Sequence, residues 1–206
     1  MRVTALCEIH ESNKALANNH KGATPHETYI DLPNTKEGMS HKTVKQMLRK
    51  GCIQETWGAQ LVDGLTESDF DLVLRRNMHP DIWMFSALRD VHGNAKHDLH
   101  PNAVSHHLGD ELSSKNITHV FCVGTAGDFC VSHIAIDVAS AGFKAYVIED
   151  VTMSFDAGEG WPAMKKELKA KGVEVVTMNG PEVGRVRALG DRDGENGGLD
   201  DDGLLD

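Results

Sequence analysis

The chain has 206 residues and a formal charge of −10, from 31 acidic against 21 basic residues, with 40% hydrophobic and 25% charged residues. This is the balance of a globular chain. It excludes a broad nucleic-acid-binding face and attachment to an anionic membrane, and there is no apolar run of about 18 residues to span one. The length suits one domain. The charge is uneven, because residues 190–206 carry seven acids and one base, or −6, which leaves −4 on the rest. A domain over 1–187 followed by a disordered acidic tail over 188–206 is the expectation. Cysteines stand at 7, 52, 122 and 130 without CxxC spacing, and the start has no signal-peptide pattern. Both point to a reduced compartment, the cytoplasm or the nucleus.

Residues 1–10 enter directly into a strand-like stretch. Residues 11–68 are polar, with one helix expected at about 40–50. From residue 69 onward strands and helices alternate. Strands are expected at 71–75, 118–124, 144–149 and 173–178, and helices at 103–115, 129–141 and 161–171. In the 129–141 helix Val131, Ile134, Ala135 and Val138 share one face, and Gly142 is a natural stop. Consecutive β-α-β units imply an α/β fold, a three-layer α-β-α sandwich with a mainly parallel sheet.

The strongest chemical signal is an apolar strand, then Gly124-Thr125-Ala126-Gly127-Asp128, then a helix bearing Cys130. Ligands in open α/β sheets bind at the carboxyl ends of strands. Asp128 is a suitable N-cap. A cysteine in a first helical turn gains thiolate character from the helix dipole, and the free amides there can hold an oxyanion. Cys122 fits an inert buried cysteine, and Cys130 fits either that or a nucleophile. Arg75 and Arg76 follow the 71–75 strand and are either solvated ion-pair partners or a cation for the thiolate. His133, one turn after Cys130, is either a base or a structurally satisfied ring. Glu8 and His10 share one face of a strand and could ligate a metal.

The segment VFCVGTAGDFCVSHIAID, residues 120–137, resembles the nucleophile segment of the isochorismatase-like cysteine hydrolases, and within them of nicotinamidase/pyrazinamidase. MFSALRD at 84–90, CIQETWGAQLVDGL at 52–65, ANNH at 17–20, Gly158-Glu159-Gly160-Trp161 and Gly180-Pro181-Glu182-Val183 are similar to further stretches of that family, the last two to its fungal members. The resemblance runs over residues 2 to about 187. It implies Cys130 as catalytic nucleophile, with the amides of Ala126 and Cys130 as the oxyanion hole after a cis peptide bond. It implies Phe85 in the place of a pocket tyrosine, and Arg76 in the place of the catalytic lysine. The implied reaction converts nicotinamide to nicotinate and ammonia through a thioester, in NAD salvage. The implied cofactor is zinc or another divalent metal, and the implied partners are a small nicotinamide-like substrate and a second copy of the chain.

The chain departs from that pattern at named positions. The metal motif D-x-H appears as Glu8-Ile9-His10, with Ile9 at the pocket tryptophan, and the metal histidine of W-P-x-H-C falls on Gly51. The D-x-Q-N-D-F motif of the family's first strand, which carries its catalytic aspartate, is not among the 206 residues. A fold lacking that first strand is therefore the expectation. The alternatives are a catalytically impaired relative that binds a small ligand or a partner subunit, and another isochorismatase-like hydrolase.

Overall fold

A computed structural model describes residues 6–10, 24, 27–40, 42–47, 52–79, 81–95, 98 and 100–195; for 6–10, 46–47 and 190–195 the description covers the backbone. Seven strands are found among these residues: β1 (Leu6–His10), β2 (Tyr29–Pro33), β3 (Thr43–Met47), β4 (Leu72–Arg76), β5 (His119–Thr125), β6 (Lys144–Met153) and β7 (Glu174–Val176). The α-helices are α1 (Leu108–Ser114), α2 (Ser132–Ser140), α3 (Gly160–Ala170) and α4 (Pro181–Glu195).

β5, β6 and β7 form a parallel three-stranded sheet in sequence order. β1 and β4 form a parallel pair, with Glu8 opposite Leu74 and His10 opposite Arg76. The central strand β6 has four consecutive buried residues, Ala145 to Ile148. Burial on both faces is the mark of a parallel strand covered by helices. Its Tyr146 stacks on Phe121 of β5 with ring centroids 4.5 Å apart. α2 contributes Ala135 and Val138, α3 contributes Leu168, and all three are fully buried in one core with Leu74, Cys122 and Val147. The α/β expectation with a parallel sheet therefore holds.

The helix expected at 40–50 is not formed. Thr43–Met47 is instead a strand, antiparallel to β2, with Val44 opposite Leu32. β2 reads Tyr-Ile-Asp-Leu-Pro and alternates exposed and buried, a period-2 pattern that needs a partner strand. Thr43 and Val44 are β-branched, and tertiary pairing outweighs the weak helical signal of the lysines around them. Ile30 and Leu32 close a second small core over Trp83, with Phe85 and Val91 packed against it.

The helix expected at 103–115 begins only at Leu108. Residues before it are captured by β4: Val104 bridges Arg76, the Ser105 amide donates to Arg75 O at 2.9 Å, and Ser105 Oγ accepts the Arg75 amide at 2.9 Å. α4 continues to Glu195, past the domain boundary expected at 187, while residues 196–206 lie outside the described residues.

Replacing Leu32, which is 2% exposed, by Ala should cost about 2–5 kcal/mol. It should also change the emission of Trp83, both read in a chemical denaturation curve. Unchanged stability would contradict the packed β2–β3 unit.

Candidate functional site

The carboxyl end of β5 leads through Thr125 into a single π-type turn, Gly127–Val131, which runs on into α2. The Thr125–Ala126 peptide bond is cis, as the family resemblance implies. The Ala126 carbonyl accepts the amides of Phe129 and Val131, each at 3.1 Å. The Ser132 hydroxyl donates to the Gly127 carbonyl. Cys130 lies in this turn as a half-buried free thiol, whereas Cys122 is buried in the core.

Gly127 is a packing requirement. A Cβ there would lie 2.7 Å from both Ser154 Oγ and Thr152 Cγ2 and 3.3 Å from Trp161. The turn thus presses against the end of β6 and the start of α3 closer than any side chain allows. Asp128, expected as an N-cap, does something else. Ala126 holds the cap position, and the Asp128 carboxylate accepts the amides of Phe155 and Asp156 at 2.9 and 2.7 Å. Asp156 in turn accepts the amides of Gly158, Glu159 and Gly160 at 3.0 Å, and these bonds hold its carboxyl below the usual range. The turn that holds Cys130 is thereby tied to the N-terminus of α3.

Arg76 ends β4 with 2% exposure, so it is not a solvated surface cation. Its guanidinium donates to the Met84 carbonyl. The next residue, Asn77, accepts the Met84 amide at 2.5 Å and donates to the Met84 carbonyl at 3.2 Å. It does so in the left-handed conformation, φ 61°, which asparagine tolerates. Arg75 instead pairs with Glu67.

Met84 leads into Phe85. The Phe85 ring meets Phe129 edge-on at 4.6 Å and His133 at 4.8 Å. His133 Nδ1 lies 2.7 Å from the Phe129 carbonyl. A carbonyl only accepts, so Nδ1 donates to it. One residue further on, the Ser86 hydroxyl donates to Asp137 Oδ2, and Arg89 Nε stands 3.7 Å from Asp137 Oδ1. Burial pushes the Asp137 carboxyl up, against the opposing pull of Ser86, Arg89 and His133.

Cys52 joins this group. The residue is exposed overall, and partial desolvation of its thiol pushes the pKa up, while the Arg76 guanidinium lowers it and Cys130 raises it. Cys52 therefore feels the charge of both residues read as catalytic. Sequence reasoning assigned Cys52 no role. Its place directly after Gly51, in the stretch similar to the family's metal-histidine motif, was the available signal. Glu8 and His10 lie on β1 at alternate positions, backbone to backbone with Leu74 and Arg76. Gly51 and residues 17–20 lie outside the described residues. Among the described residues, no group of three or more His, Cys, Asp and Glu is placed to hold a metal ion, and no helix is long and apolar enough to cross a membrane.

Two predictions follow from this geometry. Gly127→Ala should lose about 1–3 kcal/mol to overpacking, and the rate of Cys130 alkylation should change with it. An unperturbed variant would contradict the close approach. For Asp137 the folded state holds the carboxyl proton more tightly than the unfolded chain does. Its contribution therefore favours folding at acidic pH and is lost as pH climbs through the raised titration. Asp137→Asn should remove that loss, so the melting temperature of the variant relative to the parent should rise between about pH 4 and pH 7. Parallel pH profiles would refute it.

Comparison with known proteins agrees with this architecture. The isochorismatase domain family model matches residues 23–180. The chain is 31% identical to a nicotinamidase of Acinetobacter baylyi over 79% of the chain and 68% of that protein. It is 28% identical to the nicotinamidase of Saccharomyces cerevisiae over 85% of the chain and 79% of that protein. Among solved structures, the yeast nicotinamidase superposes with a TM-score of 0.69 at 25% identity, over 83% of this chain and 78% of that one. A nicotinamidase/pyrazinamidase of Acinetobacter baumanii gives 0.65 at 26% identity, over 84% and 76%. The pyrazinamidase of Pyrococcus horikoshii, solved in complex with zinc, shares the fold at 19% identity and a TM-score of 0.54, over 84% and 73%. The chain belongs to the isochorismatase domain family of hydrolases and is nicotinamidase-like.

Proposed function

We propose that the chain hydrolyses nicotinamide to nicotinate and ammonia in NAD salvage, with Cys130 as nucleophile. The observation that carries this reading is the half-buried thiol in the turn after β5, one turn of chain from an aromatic wall of Phe85, Phe129 and His133. A planar aromatic amide fits against such a wall.

Cys130 Sγ attacks the carboxamide carbon. The amides of Ala126 and Cys130 receive the charge that develops on oxygen. The C–N bond breaks, the thiol proton ends on the departing nitrogen, and ammonia leaves a thioester on Cys130. Water then splits the thioester, which gives the acid and restores the thiol. Arg76 supplies a fixed positive charge at the end of β4. It cannot act as a lysine does, because a guanidinium keeps its proton.

By the family resemblance Glu8 and His10, at alternate positions of β1, would be two of the metal ligands. Gly51 at the third ligand position has no donor atom. Catalytic zinc sites use three protein ligands, so this donor set does not fit the group, and no step here runs through a metal.

A second reading is favoured by one observation. Arg76 is engaged with the Met84 carbonyl, which suits a catalytically impaired relative that still binds an aromatic amide. Ammonia release separates the two. The first reading expects turnover of nicotinamide that falls at least about 10³-fold in Cys130→Ala, since covalent catalysis is lost. Equal, background rates in parent and variant would reject it. Calorimetric binding of nicotinamide without turnover would then leave the second.

A further inference from the structure

His133 and Asp137 stand one turn apart on α2, the spacing that aligns side chains along a helix, and the π-type turn that holds Cys130 runs directly into that helix. Both reach the 84–90 segment. His133 touches the Phe85 ring, and Asp137 accepts the Ser86 hydroxyl. We propose that Asp137 is a positioning residue for substrate recognition: by holding Ser86 it sets the Phe85 ring as the wall for a planar aromatic amide beside Cys130. This rests on the reading of the site given under Proposed function.

Ser86 is 1% exposed and fully committed. Its single hydroxyl proton goes to Asp137, and its oxygen accepts the Leu88 amide at 3.2 Å. The hydroxyl is therefore clamped between the helix and its own segment. Phe85 is the adjoining residue, and its ring has α2-side neighbours in Phe129 and His133. Consecutive residues thus register the segment against the same helical unit that presents Cys130. The groups facing Asp137 are Ser86 and Arg89 from the segment and His133 from its own helix. Arg89 is too far, at 3.7 Å, to make a tight ion pair. A half-buried carboxylate held chiefly by a hydroxyl is a poor device for stability, because desolvation opposes its charge. It is a good device for direction, because an ionised acceptor makes a strong hydrogen bond.

The test uses the full chain with 4-fluorophenylalanine at position 85, and three variants. Asp137→Ala and Ser86→Ala break the bond from either side. Asp137→Asn keeps an oxygen acceptor for Ser86. The expected result is a KM for nicotinamide raised about tenfold in both alanine variants, with kcat per titratable Cys130 within about threefold of the parent. Asp137→Asn should restore KM to within about threefold. The fluorine resonance should move in the alanine variants and stay in Asp137→Asn. If Asp137→Ala does not fold, Ser86→Ala against Asp137→Asn decides alone. An unchanged KM and an unchanged resonance in Ser86→Ala would overturn the proposal. So would an Asp137→Asn that behaves as the alanine variants do. A parent protein with no turnover rejects the amidase reading instead, and the fluorine resonance still tests the Asp137 contact.

Discussion

The turn that carries Cys130 is pressed into the fold at Gly127, and the position of its thiol is referenced to that contact. Without a side chain at 127, the turn lies against Thr152 and Ser154 of the β6 end and against Trp161 of α3. Asp128 fastens the same turn to the backbone at Phe155 and Asp156, and Asp156 caps α3. Three consecutive elements of the parallel sheet layer thus meet at one point. A thiol held this way has its position set by the core rather than by a surface loop.

The opposite wall is built differently. Residues 84–90 have no strand or helix of their own and are held by side chains that grip the backbone. Arg76 and Asn77 take the Met84 carbonyl and amide, and Asp137 takes Ser86. Further along, Asp90 accepts the amides of His92 and Asn94, and Asn94 Nδ2 donates to Asn34 Oδ1 at 2.8 Å. That last bond connects the wall to the end of β2. The second small core of Ile30, Leu32 and Trp83 lies behind Phe85. The polar bonds set direction and the apolar core supplies the burial. The small antiparallel pair β2–β3, which no pattern in the polar N-terminal region announced, therefore supports the aromatic wall.

Legibility in the sequence followed the strength of local periodicity. β5, α2, β6 and α3 each combine an apolar run or stripe with a natural stop, and their placement was readable to within a few residues. Thr43–Met47 is a strand where a helix is expected at about 40–50, because the deciding fact is the alternating burial of Tyr29–Pro33 across from it. A pairing partner distant in the chain leaves no local trace. Ala103 and Val104 looked helical for the same reason, and the edge of β4 captured them instead. At the site, Cys130 was legible because a strand, a glycine turn and a helix mark it locally. The contact of Arg76 with Met84 and that of Asp137 with Ser86 were not, since both depend on backbone or side-chain groups of the irregular 84–90 segment. Arg76 looked like a surface cation and is buried.

The central claim is that Cys130 carries the acyl group. Mixing the protein with nicotinamide, quenching in acid during turnover and analysing the digest by mass spectrometry tests it directly. The account predicts a nicotinoyl group on the peptide containing Cys130, lost on mild base treatment. Ammonia release with Cys130 unmodified, or with the acyl group on Cys52, would contradict it.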